Sequence, residues 1–308
     1  METATPPDWI TPAWLTGVIG ADDNSVQSVE LAPLGVGVGF AATMYRAQLS
    51  WENPGSEVPG SVVIKLPVQH DGTLDAVRHL GLFREVWFYE RLANKTPVST
   101  PHIYLAETRG DEYVLVMEDL GDFARLDVDL SVAEARMAIV EIARLHATYW
   151  NHSITGEDWL QPVADSTDEQ RDEQEAALDK SVALMEAEAT PPIKTIEIAR
   201  KLQTLMPKAP KRIPLPNPVT LAHGDFHGNN LCFRDDGVVV FDWQLIAKGT
   251  PAMDVANLLF TSMSVSEYDK HIDELLHAYH DELLRQGVEG YTFKKFMMAT
   301  ATPRFSRS

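Results

Sequence analysis

Hydrophobic and polar positions alternate early in the chain and recur at helical spacing later. VQSVELAPL (26–34) reads as a strand, and TMYRAQLSW (43–51) as a second with Tyr45, Ala47, Leu49 and Trp51 on one face. Between them lies LGVGVGF, whose Gly35, Gly37 and Gly39 break the pattern. The Pro and Gly content of ENPGSEVPG (52–60) marks a turn before SVVIKLP (61–67), an apolar strand carrying one cation, Lys65. In LGLFREVWFYERLA (80–93), Leu82, Val86, Tyr89 and Ala93 fall at helical spacing. HIYLAET (102–108) and EYVLVME (112–118) are two further strands. This part is expected to be a five-stranded antiparallel sheet with one helix.

Beyond DLGD (119–122) the pattern turns helical. LSVAEARMAIVEIARLHATYW (130–150) opens on Ser131 and Glu134, a capping box, and carries Ile139, Ile142, Ala143, His146 and Trp150 as a stripe. A helix over 166–189 is acidic in its first turns and stops at Pro191 and Pro192. PKAPKRIPLPNP (207–218) reads as an extended connector, VVVFDWQ (238–244) as a short buried strand, and 254–260 and 268–287 as helices. FKKFMMATATPRFSRS reads as a basic, helix-poor tail. There is no internal repeat. The expected class is α+β: residues 1–119 as an N-terminal lobe and 120–308 as a mainly helical lobe.

Composition narrows the partners. The 308 residues carry 45 acidic and 26 basic side chains, a net charge of −19 that repels a phosphate backbone, so nucleic acid is not expected. One cysteine, Cys232, permits no intrachain disulfide and is expected to be buried and inert. No leader pattern and no long apolar run is read, so a cytoplasmic protein without a membrane span is the expectation.

The densest chemistry is HGDFHGNNL (223–231). His223, Asp225 and His227 alternate and would share one face of a strand, as metal ligands do. The competing reading is a catalytic loop, H-G-D-x-x-x-x-N, with Asp225 working on a hydroxyl and Asn230 holding Mg²⁺. Transfer of a phosphoryl group from ATP needs a loop over the phosphates, a cation on them, oxygen ligands for Mg²⁺ and a base or orienter. In kinase order the chain carries Gly37 and Gly39, then Lys65, Glu85, Asp225 with Asn230, and Asp242. A metal hydrolase built on His223, Asp225 and His227 leaves Asn230, Asp242 and Lys65 without roles. His146 reads as a hydrogen-bonded core residue, and Trp150 and Trp159 as core.

GFAATMYRAQL, SVVIKLP, FREVWFYERL, LVMEDLGD, ARLHATYW, HGDFHGNNL and VVVFDWQLIAKGTPAMDVANLL resemble, in order, blocks of the aminoglycoside/choline-kinase-like phosphotransferases, closest to their ecdysteroid-kinase-like (CHK kinase-like) branch. The resemblance implies a bilobal protein-kinase-like fold and ATP- and Mg²⁺-dependent phosphorylation of a small-molecule hydroxyl. It makes Asp225 the catalytic base, Asn230 and Asp242 the metal ligands, Lys65 the phosphate-binding lysine and Glu85 its partner. Met117, Glu118, Asp119 and Leu120 become the adenine-facing hinge, and His223 and Asp254 brace the catalytic loop. Two departures are visible: Ala42 stands where that branch often has serine, and the chain ends early, so the acceptor-side helices are expected to be short. A nucleotide-binding relative without turnover is the alternative these departures leave open. Only twelve positions separate Asp242 from Asp254, too few for a polypeptide-docking shelf. The acceptor is therefore expected to be a small neutral or cationic compound, held by the acidic helix around 168–175 and the segment near Trp150 and Trp159.

Overall fold

A computed structural model describes residues 5–20, 24–34, 42–54, 58–67, 75–110, 112–121, 129–151, 157–162, 168–187, 193–208, 217–235 and 237–300. Gly35, Gly37 and Gly39 lie outside these residues.

The five expected strands form one antiparallel sheet. They are β1 (Val26–Leu34), β2 (Ala42–Trp51), β3 (Ser61–Pro67), β4 (Ile103–Arg109) and β5 (Glu112–Glu118), in the order β1-β2-β3-β5-β4. A helix the sequence reading did not include, α1 (Pro12–Ile19), precedes them. Thr11 caps its start by accepting from the Trp14 amide, and Gly20 ends it in the left-handed region. Its Leu15 packs with Ile10, Tyr45, Ala47, Leu49, Trp51, Ile64 and Val116 on one face of the sheet. The other face carries Val63, Tyr113, Leu115 and Met117, covered by Val86, Phe88 and Tyr89 of α2 (Asp75–Arg91) and by Leu92 just after it. β3 is thus buried on both sides, which is why VVIKL reads as a continuous apolar run.

The remainder is helical, with two short ribbons among the described residues. α3 (Val132–Thr148) has the expected capping box at Ser131 and Glu134, and its stripe is buried through His146. α4 (Asp168–Glu186) is followed by α5 (Ile193–Leu205), within a stretch given no element from sequence. β6 (Thr220–Ala222) pairs with β9 (Ala247–Gly249), and β7 (Leu231–Arg234) with β8 (Gly237–Val240). α6 (Pro251–Thr261), α7 (Val265–Arg285) and α8 (Phe293–Thr300) complete the described chain. The tail expected to be helix-poor therefore begins as a helix. Phe296, fully buried against Tyr279, anchors α8 to α7, so tertiary packing supplies what a short basic segment lacks by itself.

The helical part and the α2 face of the sheet share one apolar core, in which Phe88 of α2 stacks on Trp243 with ring centres 3.9 Å apart. This stack sets α2 directly against the turn that carries Asp242.

Candidate active site

Lys65 sits on β3 opposite Leu115, on the face that α2 covers. Its ammonium lies 2.7 Å from Glu85 Oε2 and 3.1 Å from Asp242 Oδ1, and both Lys65 and Glu85 are almost fully buried. Burial opposes the charge on Lys65, but Asp242 and Glu85 together outweigh it and hold the group as an ammonium well above its ordinary range. Asp242 follows β8 with φ 62° and ψ 65°, a left-handed conformation that Asp tolerates better than most side chains. It opens the turn Trp243–Leu245, whose indole N–H donates to the Val240 carbonyl at 3.1 Å.

His223 to Asn230 form a loop, not a strand, so the alternation of His223, Asp225 and His227 does not place them on one face. His223 is fully buried. Its Nε2–H donates to the Phe241 carbonyl at 3.1 Å, and its Nδ1 accepts from the Asp225 amide at 3.3 Å. Burial lowers its pKa, which keeps the ring in this neutral form. With both nitrogens engaged inward, His223 is unavailable as a ligand, and no group of three metal-ligating side chains occurs among the described residues. The loop is tied down from below by Asp254 on α6. Asp254 Oδ2 accepts from the His223 amide (2.8 Å) and from His146 Nε2–H (3.1 Å), and Oδ1 accepts from the Gly224 amide (2.9 Å). His146 Nδ1 in turn accepts from the Tyr279 hydroxyl at 2.7 Å, so His146 is a fully partnered core histidine. Gly224 has φ +88°, and a Cβ there would lie 2.0 Å from the Leu245 carbonyl oxygen. Only glycine fits between the loop and the Asp242 turn.

Asp225 points outward and is partly exposed. Asn230 Nδ2 donates to both its main-chain carbonyl (2.9 Å) and its Oδ2 (3.2 Å), which turns the Asn230 carbonyl oxygen the other way. His227 Nδ1 accepts from the Asn229 amide, leaving Nε2–H to face Asp225 Oδ2 at 3.3 Å. That hydrogen bond, against partial burial, holds the Asp225 carboxyl below its ordinary value and lifts His227 above its own. The sequence reading left His227 without a partner. Its two-residue spacing from Asp225 was visible, but the loop conformation that turns it back was not.

The hinge residues divide by side-chain duty. Met117 and Leu120 are buried, the latter against Cys232 and Val239. The Asp119 carboxylate accepts from Arg46 Nη2 (3.2 Å), Ser61 Oγ (2.7 Å) and the Gly121 amide (2.9 Å), within an ion pair to the Arg46 guanidinium. Burial works against its charge, and these donors still hold its pKa low. Glu118 accepts from the His102 amide and from Arg234 of β7. Both acids are therefore engaged in holding this segment in place. Trp150 and Trp159 have different aromatic partners. Trp159 lies against Trp87 of α2, with ring centres 5.6 Å apart. Trp150 meets Tyr291 edge-on near α8.

Asp225, Asn230 and Asp242 offer carboxylate and amide oxygens, a hard donor set that suits Mg²⁺ and not a thiophilic metal. A model of the ecdysteroid kinase-like family matches residues 36–288. Among solved structures, choline kinase from Cryptosporidium parvum Iowa II is similar at 13% identity and a TM-score of 0.52, over 88% of this chain and 79% of that one. Macrolide 2′-phosphotransferase from Brachybacterium faecium has 16% identity and a TM-score of 0.48, over 94% and 86%. No curated protein matches the chain by sequence.

Proposed function

The chain belongs to the ecdysteroid kinase-like family, and on that premise we propose that it is an ATP- and Mg²⁺-dependent phosphotransferase acting on a hydroxyl of a small molecule. One observation carries this reading. Lys65, Glu85 and Asp242, 177 residues apart at their extremes, meet in one ion-pair network beside the Asp225–Asn230 loop, with Lys65 and Glu85 buried and Asp242 partly exposed. A structural ion pair needs no third charge and no adjacent carboxylate loop; a phosphoryl-transfer site needs both.

In this reading residues 1–119 bind the nucleotide and residues 120–308 carry the catalytic loop and the acceptor. Lys65 neutralises phosphate oxygens, with Glu85 fixing its direction. Gly37 and Gly39 are assigned to phosphate binding on their sequence order, and the main chain of Met117–Leu120 would meet the base. Asn230 Oδ1 and the Asp242 carboxylate would hold Mg²⁺, which when bound offsets the phosphate charge. Asp225 orients the acceptor hydroxyl and takes its proton; the Asn230 and His227 contacts keep it ionised and aimed. The acceptor is a small neutral or cationic molecule, because the acidic start of α4, assigned to the acceptor side, would meet an anion with like charge.

The test is ADP release from Mg·ATP across a panel of hydroxylated metabolites, with intact-mass detection of phosphorylated product. Asp225→Asn should lower kcat by roughly 10²–10⁴ and leave Mg·ATP affinity unchanged. Near-normal turnover in that variant would contradict the assignment of Asp225. Mg·ATP binding with no turnover on any acceptor would favour a nucleotide-binding protein without phosphotransfer. A preferred acceptor bearing a carboxylate or phosphate would remove the charge argument.

A further inference from the structure

Beside the Lys65–Glu85 pair, three buried oxygens have no hydrogen-bond partner among the described residues: Glu85 Oε1, Tyr89 Oη and Tyr113 Oη. They belong together. Tyr89 follows Glu85 by four residues on α2, so both side chains leave the same face of that helix. Tyr113 lies two residues before Leu115 on β5, hence on the same sheet face, and Leu115 is the cross-strand partner of Lys65. All three residues are nine-tenths or more buried, and both tyrosines sit in the apolar core between α2 and the sheet. Burial, then the charge on Glu85, keeps the Tyr89 phenol protonated. Burial does the same for Tyr113 despite the opposing charge of Lys65, so both are donors. The Trp243 amide also faces the Glu85 carboxylate. One carboxylate oxygen and two hydroxyls left unpaired inside an apolar core are costly, and the usual resolution is an internal water with about three partners.

We propose that Glu85 Oε1, Tyr89 Oη and Tyr113 Oη form a buried hydration site behind the Lys65–Glu85 pair. Through its water the two tyrosines act as positioning residues that keep Glu85 Oε2 aimed at Lys65. Mutating either hydroxyl loosens the pair without touching Asp225, so nucleotide affinity falls while the rate at saturation is spared. The consequence for nucleotide rests on the phosphotransferase reading; the hydration site itself does not.

The test is a double-mutant cycle with Tyr113→Phe, Glu85→Gln and the double variant, repeated with Tyr89→Phe. Thermal unfolding is measured without nucleotide, and Mg·ATP affinity by titration. In the Glu85 background Tyr113→Phe should lower Tm by about 2–4 °C. It should also weaken Mg·ATP binding roughly tenfold at unchanged kcat, an ordinary coupling within one network. Both effects should shrink in the Glu85→Gln background. An unchanged or higher Tm in Tyr113→Phe and Tyr89→Phe would overturn the proposal, because an isolated hydroxyl in an apolar pocket is better removed. Equal losses in both backgrounds would overturn it as well. If the unmutated protein bound no Mg·ATP, the phosphotransferase reading would fall, and the unfolding cycle would still decide the hydration site.

Discussion

Asp254 is the place where a small change should cost most. Its carboxylate is fully buried and accepts three hydrogen bonds, from the His223 amide, the Gly224 amide and His146 Nε2–H. A hydrogen bond to a charged group is worth roughly 1.5–3 kcal/mol, and a buried donor left unpaired costs about 1–3 kcal/mol. Asp254→Ala strands all three donors, so a simple sum exceeds 4 kcal/mol, about the upper range of single substitutions. Entry of water into the space reduces that, and we expect about 4 kcal/mol. Asp254→Asn discriminates better. With its oxygen at the Oδ2 position it retains the bonds from His223 and His146, and its amide then faces the Gly224 N–H, donor against donor. One bond is lost and two donors, the Gly224 N–H and the new amide, are left unpaired, a cost of about 2–3 kcal/mol. Urea unfolding followed by circular dichroism at neutral pH measures both, and the order should be Ala worse than Asn. Thermal midpoints should fall by about 5–10 °C for Asp254→Ala. If Asp254→Asn lay within about 0.5 kcal/mol of the unmutated protein, the three bonds could not be what holds the catalytic loop.

Three further outcomes follow from the site. Gly224→Ala should destabilise by about 2–4 kcal/mol and abolish turnover, since its Cβ would meet the Leu245 carbonyl at 2.0 Å and φ is +88°; a variant with normal turnover and Tm would show the two segments move independently. Asp242→Asn should weaken Mg·ATP binding with little change in fold, because Asn keeps the left-handed backbone but not the charge; an unaltered metal dependence in titrations would remove Asp242 from the ligand set. His227→Gln should flatten the pH dependence of stability. With His227 raised, its contribution is full below about pH 6.5 and is lost as pH rises through the folded pKa; with Asp225 lowered, its contribution is present above about pH 4 and is lost on acidification. The pair is partly exposed, so the effect stays below about 1 kcal/mol, and equal slopes in denaturation from pH 6 to 8 would discount it.

Local patterns were enough to recover much of this protein. The sheet strands are legible because one or both faces are buried, and period-2 alternation or a continuous apolar run records that directly. The start of α3 is legible because its capping box lies within four residues. The loop from Asp225 to Asn230 is legible because a five-residue closure sets its spacing. α1 carried its own signals, Thr11, Pro12 and Gly20, that a reading centred on periodicity passed over. β6 and β9 have three residues each, too few for any period, and exist because each completes the other. α5 and α8 depend on contacts with α4 and α7 that amphipathicity over 8–13 residues does not determine. The site divides the same way. The residue types at 65, 85, 225, 230 and 242 point to one chemistry, but a sequence carries no distances. The side chain of Asp119, a residue expected in the hinge, pairs with Arg46, and His223, the possible metal ligand, turns both nitrogens inward. Those outcomes depend on which donors the packed core leaves unpaired, and only the tertiary structure brings residues 146, 223 and 254, or 65 and 242, within reach of one another.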